Sequence, residues 1–314
     1  MLLPETLELR TELQDGKWYP AVKFDVAYAG ESRLRYKAEY SLPTGAPWYT
    51  ETLELKGDAP VYTMESAYEM EKAAKAVPTE GLFGLKITNM RDNSTAFQGK
   101  VRITKFKQEN ASGPKDVDYA VDHDWALPIG YTNISWDVDH GASDKGDPGI
   151  RMWFKGGFKT ADLEARLFHN GKQIASTDEG GSVGGGGDRR FPKYSGNNPA
   201  LMWELLEFRW PRKLLFVASE QGERYAKDTG QLTLNQMPGE YTVKVYYQGE
   251  QVRETKFKIA DGNFADVGVS LPNGLKTRRV ILPVRVMGTA DKWNPTRWKT
   301  EAFYGNPPTN LTLP

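Results

Sequence analysis

Eight aspartates stand between Asp116 and Ile150, at positions 116, 118, 122, 124, 137, 139, 144 and 147. They face one basic residue, Lys145, and no Glu or Arg, so the stretch carries a net charge of −7. Hard cations such as calcium take several oxygen ligands that converge from a flexible loop. The runs Asp122-His123-Asp124 and Asp137-Val138-Asp139-His140-Gly141, followed by Asp144, place carboxylates two residues apart beside turn-forming glycine. Asp122, Asp124, Asp137, Asp139 and Asp144 are therefore the candidate calcium ligands, and calcium is the one cofactor the sequence suggests. The EF-hand pattern fails, because Gly141 holds the fifth position, where a ligand belongs, and no terminal Glu follows. The alternative is a solvated acidic linker whose aspartates cap turns through their own backbone.

Other chemistry-bearing groups are sparse. His123 and His140 share this stretch and have the ligand type for a transition metal, but they lack a metal-ligand spacing. The third histidine, His169, adjoins a hairpin signal, Asn170-Gly171. Gly180–Asp188 is glycine-rich, yet it lacks the Gly-Lys-Ser/Thr ending of a phosphate loop and reads as a surface loop. With Arg189–Asn198 it forms an insertion, and insertions on a rigid scaffold are where binding concentrates. Trp293 and Trp298, among Asn294, Thr296 and Arg297, suit an aromatic platform for sugar rings, or else anchor the tail to a module. No Gly-x-Ser-x-Gly elbow is present. The absence of cysteine removes disulfides, thiolate metal sites and thiol nucleophiles.

Composition narrows the class. The 314 residues are 39% hydrophobic and 26% charged, a globular balance, and 31 Gly with 19 Pro favour turn-rich β structure. Net charge is zero overall, without the concentrated basic face that nucleic acid requires. The most apolar run, Val280–Met287, is broken by Pro283 and Arg285, so no spanning helix is expected. No signal peptide is visible at the start. The turn-rich β character points to a periplasmic, cell-surface or secreted protein whose signal has been removed, with a cytoplasmic location as the alternative.

The elements that must position these groups follow from alternation and repetition. Val101-Arg102-Ile103-Thr104-Lys105-Phe106-Lys107 recurs as Val252-Arg253-Glu254-Thr255-Lys256-Phe257-Lys258, identical at six of seven positions. Upstream of each copy lies a matching strand, Gly81–Ile87 and Gly239–Val245. This predicts tandem modules sharing one hairpin. Trp18–Tyr28 and Arg33–Leu42 alternate apolar and polar residues, as strands with one wet face do. Asp15-Gly16 and Asn170-Gly171 are two-residue hairpin turns. Met64–Ala76 reads as a short helix, whereas Asn198–Trp210 is compatible with helix or buried strand.

The predicted architecture is all-β: two tandem antiparallel immunoglobulin-like β-sandwich modules with an acidic connector and a C-terminal extension. Its parts are module one over 1–112, the connector over 113–150, and module two over 151–262 with a Gly-rich insertion near 178–200. The extension, 263–314, holds a strand at Arg278–Met287 and folds back on a module. The run Pro238–Tyr247, with Gly249 and the strand after it, resembles the closing hairpin of immunoglobulin-like modules in bacterial envelope proteins. The resemblance covers about twenty residues per module and implies a fold without a shared activity. The expected function is a non-catalytic structural or binding protein of the bacterial envelope or extracellular space, with a protein or glycan partner. A carbohydrate-binding accessory protein and a metal-dependent hydrolase built on the Asp/His connector are the alternatives.

Overall fold

The computed structural model describes residues 2, 6–27, 34–56, 61–67, 70–107, 117–127, 130–138, 145–190, 199–211, 214–217, 220–265, 279–289 and 302–306. They are mostly β-strand and almost entirely antiparallel, as alternation and turn content predict. No helix among them is long and apolar enough to cross a membrane. The chain divides into two compact units, one of residues 1–127, 191–197 and 300–307, the other of 128–190, 198–299 and 308–314.

The first unit is one eight-stranded sheet. Its strands are β1 (Glu8–Gln14), β2 (Lys17–Ala27), β3 (Tyr36–Ser41), β4 (Pro47–Lys56), β5 (Val61–Glu65), β6 (Gly81–Asn89), β7 (Thr95–Lys107) and β8 (Val117–Val121), in the order β1-β2-β5-β4-β3-β6-β7-β8. The sheet curls until its two end strands approach, and Thr11 Oγ1 on β1 donates to the Tyr119 carbonyl on β8 at 2.7 Å. The alternation read from sequence holds: Val22, Phe24 and Val26 of β2 and Tyr36, Ala38 and Tyr40 of β3 are buried. Asp15 and Gly16 both take positive φ, the geometry that lets a two-residue turn follow strand twist. Trp18 is fully enclosed, with edge-on contacts to Phe83 and Trp48. The Met64–Ala76 stretch is less helical than predicted. β5 runs into it as far as Glu65, and among its described residues only α1 (Met70–Ala73) is helical.

The second unit contains β9 (Tyr131–Val138), β10 (Lys145–Lys155), β11 (Leu163–His169), β12 (Lys172–Ser176), β13 (Ser182–Arg190), β14 (Trp203–Arg209), β17 (Gly239–Tyr247), β18 (Glu250–Ala260) and β20 (Arg279–Val286). Their order is β12-β11-β17-β18-β20-β9-β10-β14-β13. Short strands β15 (Leu214–Val217), β16 (Leu232–Thr233) and β19 (Asn263–Phe264) flank this path. Asn170-Gly171 joins β11 to β12 as predicted, and β20 matches the strand expected at Arg278–Met287. The ambiguous stretch 198–210 resolves as strand: a 3₁₀ turn at Pro199–Leu201 leads into β14, whose Leu206 and Phe208 are fully buried.

Two features depart from the sequence reading. The glycine-rich segment is strand β13, laddered to β14, and not a surface loop. The described residues of 113–150 are mostly strand as well, contributing β8, β9 and the start of β10. The helix α3 (Glu220–Thr229) sets Ala226 against Leu215 and Val217 of β15.

Candidate functional site

The candidate calcium ligands divide between the units. Asp122 and Asp124 flank the start of the helical turn α2 (His123–Ala126) in the first unit. The Asp122 carboxylate caps it by accepting from the Asp124 amide at 3.0 Å, and it lies 3.7 Å from Arg102. Arg102 in turn stacks 4.1 Å from the Trp125 ring, whose Nε1 donates to the Lys100 carbonyl. The Asp122 carboxylate thus satisfies a helix-end donor, the Asp124 amide, that would otherwise be orphaned. Asp137 lies on β9 in the second unit, directly opposite Asp147 of β10 in the ladder. Asp139, Asp144 and His140 fall outside the described residues, as do Trp293 and Trp298. Among the described residues no group of three or more His, Asp or Glu is arranged to hold a metal. His169 is a packing residue, its ring stacked on Tyr241 at 4.7 Å and its Nε2 3.1 Å from the Pro238 carbonyl.

The first unit encloses a polar cluster that sequence reading missed. Glu51 on β4 and Lys72 on α1 form an ion pair with both side chains 1% exposed. Tyr40 Oη and Ser66 Oγ each donate to Glu51 Oε1 at 2.8 Å, and Lys72 Nζ also donates to the Ala67 carbonyl. Burial, and then the adjacent Glu51 charge, push the Tyr40 phenol well above its ordinary range, which keeps it a donor at neutral pH. The residue types are those of acid–base catalysis, but the groups saturate one another inside the sheet. The segment that carries Lys72 is tied down at Trp18, which exchanges backbone bonds with Val77 and donates from Nε1 to the Thr79 carbonyl. The chemistry that follows is fixation of α1. Interaction inside a low-dielectric interior offsets the cost of burying both charges only when every partner is satisfied, as here.

In the second unit the repeated heptapeptide is read differently from its first copy. Both copies lie on the second strand of a hairpin, and both preceding strands open on a glycine at positive φ, Gly81 and Gly239. Val101 pairs with Phe83 near the start of β6, whereas Arg253 pairs with Val245 near the end of β17. A bulge at Val252 then inverts the faces. Val101 and Ile103 point inward in the first copy, while Arg253, Thr255 and Phe257 do so in the second. Arg102 is accordingly half-buried. Arg253 is fully buried, stacked 4.4 Å from Phe154 and donating to the Trp153 and Val252 carbonyls.

The third feature is the end of the second sheet. β13 has β14 as its ladder partner, and Gly184 and Gly185 are exposed. A Cβ at Gly184 would meet nothing within 4 Å, while one at Gly185 would come 3.0 Å from Glu204 Oε1. That carboxylate is turned to Arg189, whose Nε donates at 2.9 Å and whose side chain is 63% exposed. Residues 186–188 stand opposite Leu205 alone, so the strand bulges. Arg209, opposite Ser182, is also exposed. The tryptophans of this region are not a platform: Trp203 and Trp210 are 1% and 4% exposed. No protein-family model matches the chain, and a search of the curated proteins also gives no match.

Proposed function

We propose that this chain is a non-catalytic binding protein of the bacterial envelope or extracellular space, and that its second unit receives an extended, acidic peptide along β13. The observation that carries this reading is β13 itself, a sheet-end strand with glycines at its exposed positions. Unpaired backbone at a sheet end is a template for an added strand, and natural proteins ordinarily blunt it with bulky or charged side chains. At Gly184 and Gly185 that obstruction is missing, and the exposed guanidinium groups of Arg189 and Arg209, each ion-paired to a glutamate of β14 (Glu204 and Glu207), stand beside it with donors left to offer a carboxylate. The immunoglobulin-like reading of the units belongs to the same proposal, supported by the two glycine-opened hairpins β6–β7 and β17–β18. The turn-rich, cysteine-free composition supports the compartment.

Calorimetric titration of the full chain with extended peptides, acidic and basic versions of equal length, tests the reading. Acidic peptides are expected to bind more tightly at low salt. Consecutive strand residues present their N–H groups to opposite edges, so of Gly184→Pro and Gly185→Pro one removes an outward donor while the other weakens the ladder to β14. The outward one should abolish binding with the fold intact. A panel of extended peptides that shows no binding at all would sink the proposal.

A further inference from the structure

Residues 302–306 belong to the first unit, although residues 198–299 and 308–314 on either side of its last segment belong to the second. Tyr304 Oη accepts from the Leu9 amide at 3.1 Å and donates to the Leu7 carbonyl at 3.3 Å. It therefore satisfies β1 on the side away from β2, beside the seam that Thr11 bridges to β8. Phe303 and Tyr304 make edge-on contacts with Phe97 of β7, both centroid distances 5.8 Å. Phe303 and Tyr304 are 8% and 2% exposed.

The seat and the segment are shaped to each other. Gly305 lies against Trp125, and a Cβ there would come 2.7 Å from the ring. Gly99 of β7 leaves the room that Asn306 Nδ2 occupies, since its own Cβ would stand 3.0 Å from that nitrogen. Asn306 closes the turn through donations to the Phe303 and Tyr304 carbonyls. Phe303 and Tyr304 hold φ of 42° and 56°, consecutive left-handed residues that are neither Gly nor Asn. Such a conformation is disfavoured in a free chain and persists where surrounding contacts over-determine it. Five residues thus behave as a bound ligand of the first unit, with a main-chain anchor, an aromatic contact and a glycine that no other residue replaces.

We infer that this seat, formed by β1, β7 and α2, is a binding site for a Phe-Tyr-Gly-Asn turn. Residues 302–306 fill it in cis, and the same segment of a second copy of this chain fills it in trans. The stretch 290–301 reaches at most roughly 40 Å when extended, enough to span to an adjoining molecule. Exchange of an identical element is a low-cost route to a two-fold dimer, because every contact made in cis is remade in trans.

The test uses the full chain with the segment disabled, Phe303→Ala with Tyr304→Ala, which empties the seat. A synthetic peptide of residues 299–308 should bind this variant at least tenfold more tightly than it binds the wild type, whose seat is filled. Replacing tyrosine by phenylalanine in the peptide should weaken binding about tenfold or more, since two hydrogen bonds are lost. Circular dichroism checks that the emptied variant is folded; Gly305→Val, which expels the turn by contact with Trp125, is the second route to an empty seat. Mixing the emptied variant with a Phe97→Ala copy, which has an intact segment and a damaged seat, should give a 1:1 complex by light scattering. No peptide binding by either folded, emptied variant would overturn the site. Peptide binding without the 1:1 complex would overturn the second copy as its occupant.

Discussion

Substitution of Lys72 by methionine is the sharpest perturbation available in the first unit. Met fills similar volume and removes the charge, leaving the Glu51 carboxylate with the Tyr40 and Ser66 hydroxyls and no cation. Removing one partner of an enclosed pair costs about 3–5 kcal/mol, because the other charge remains desolvated. At about 2–4 °C per kcal/mol for a unit of this size, the melting transition should fall by roughly 6–20 °C. Adding Glu51→Gln removes the stranded charge and keeps an oxygen to accept from Tyr40 and Ser66. The double variant should therefore lie within about 2 kcal/mol of the wild type, a coupling at the upper end of what contacting residues show. Calorimetry is the assay, because two units need not melt together and one transition should move while the other stays. A single variant costing under 1 kcal/mol, or a double variant no better than the single, would refute the enclosed pair.

Three further outcomes follow from the same geometry. Asp122→Ala should cost about 1 kcal/mol through loss of the α2 cap, and by the same amount in EDTA and in millimolar calcium; a calcium-dependent difference in melting would return this aspartate to a metal site. Burial raises the phenols of Tyr40 and Tyr241, the latter to about 12, so they bind protons in the folded state at pH values where the unfolded chain has lost them. Their contribution is complete below about pH 10 and is lost as pH rises through the folded values, so urea unfolding should show stability falling above about pH 10, and a flat profile to pH 12 would contradict it. Val252 is fully buried at the bulge, so Val252→Asp should abolish cooperative melting of the second unit by enclosing an unpaired charge, whereas Val252→Ala should melt cooperatively at a lower temperature.

The parts of the fold that were legible are those with local causes. Alternation in β2 and β3 reports which face meets the core, and Asp15-Gly16 and Asn170-Gly171 report turns because few residues accept positive φ. The edge at β13 was not legible, because a run of glycines has no side-chain pattern from which to infer a ladder. α3 escaped for a related reason: two small residues, Gly222 and Ala226, mark its buried face, too weak a period to stand out. Asp122 was read as a possible ligand on spacing alone, yet its proximity to the Asp124 amide and to Arg102 depends on where β7 and β8 bring the chain.

By itself the sequence determined the all-β class, the hairpin turns and which faces of the early strands are apolar. Each of these is a relation among residues a few positions apart, set by backbone sterics and the period of a strand. Tertiary structure alone decided the rest. One heptapeptide buries Val101 and Ile103 in one unit and Val252, Arg253 and Thr255 in the other, because the bulge at Val252 changes the face that the residues after it turn to the core. Glu51 and Lys72 become a pair, and Tyr304 becomes the partner of Leu9, because strand order brings together groups 21 and 295 residues apart. Register and strand order are properties of the partner strand, and no stretch of sequence read alone contains its partner.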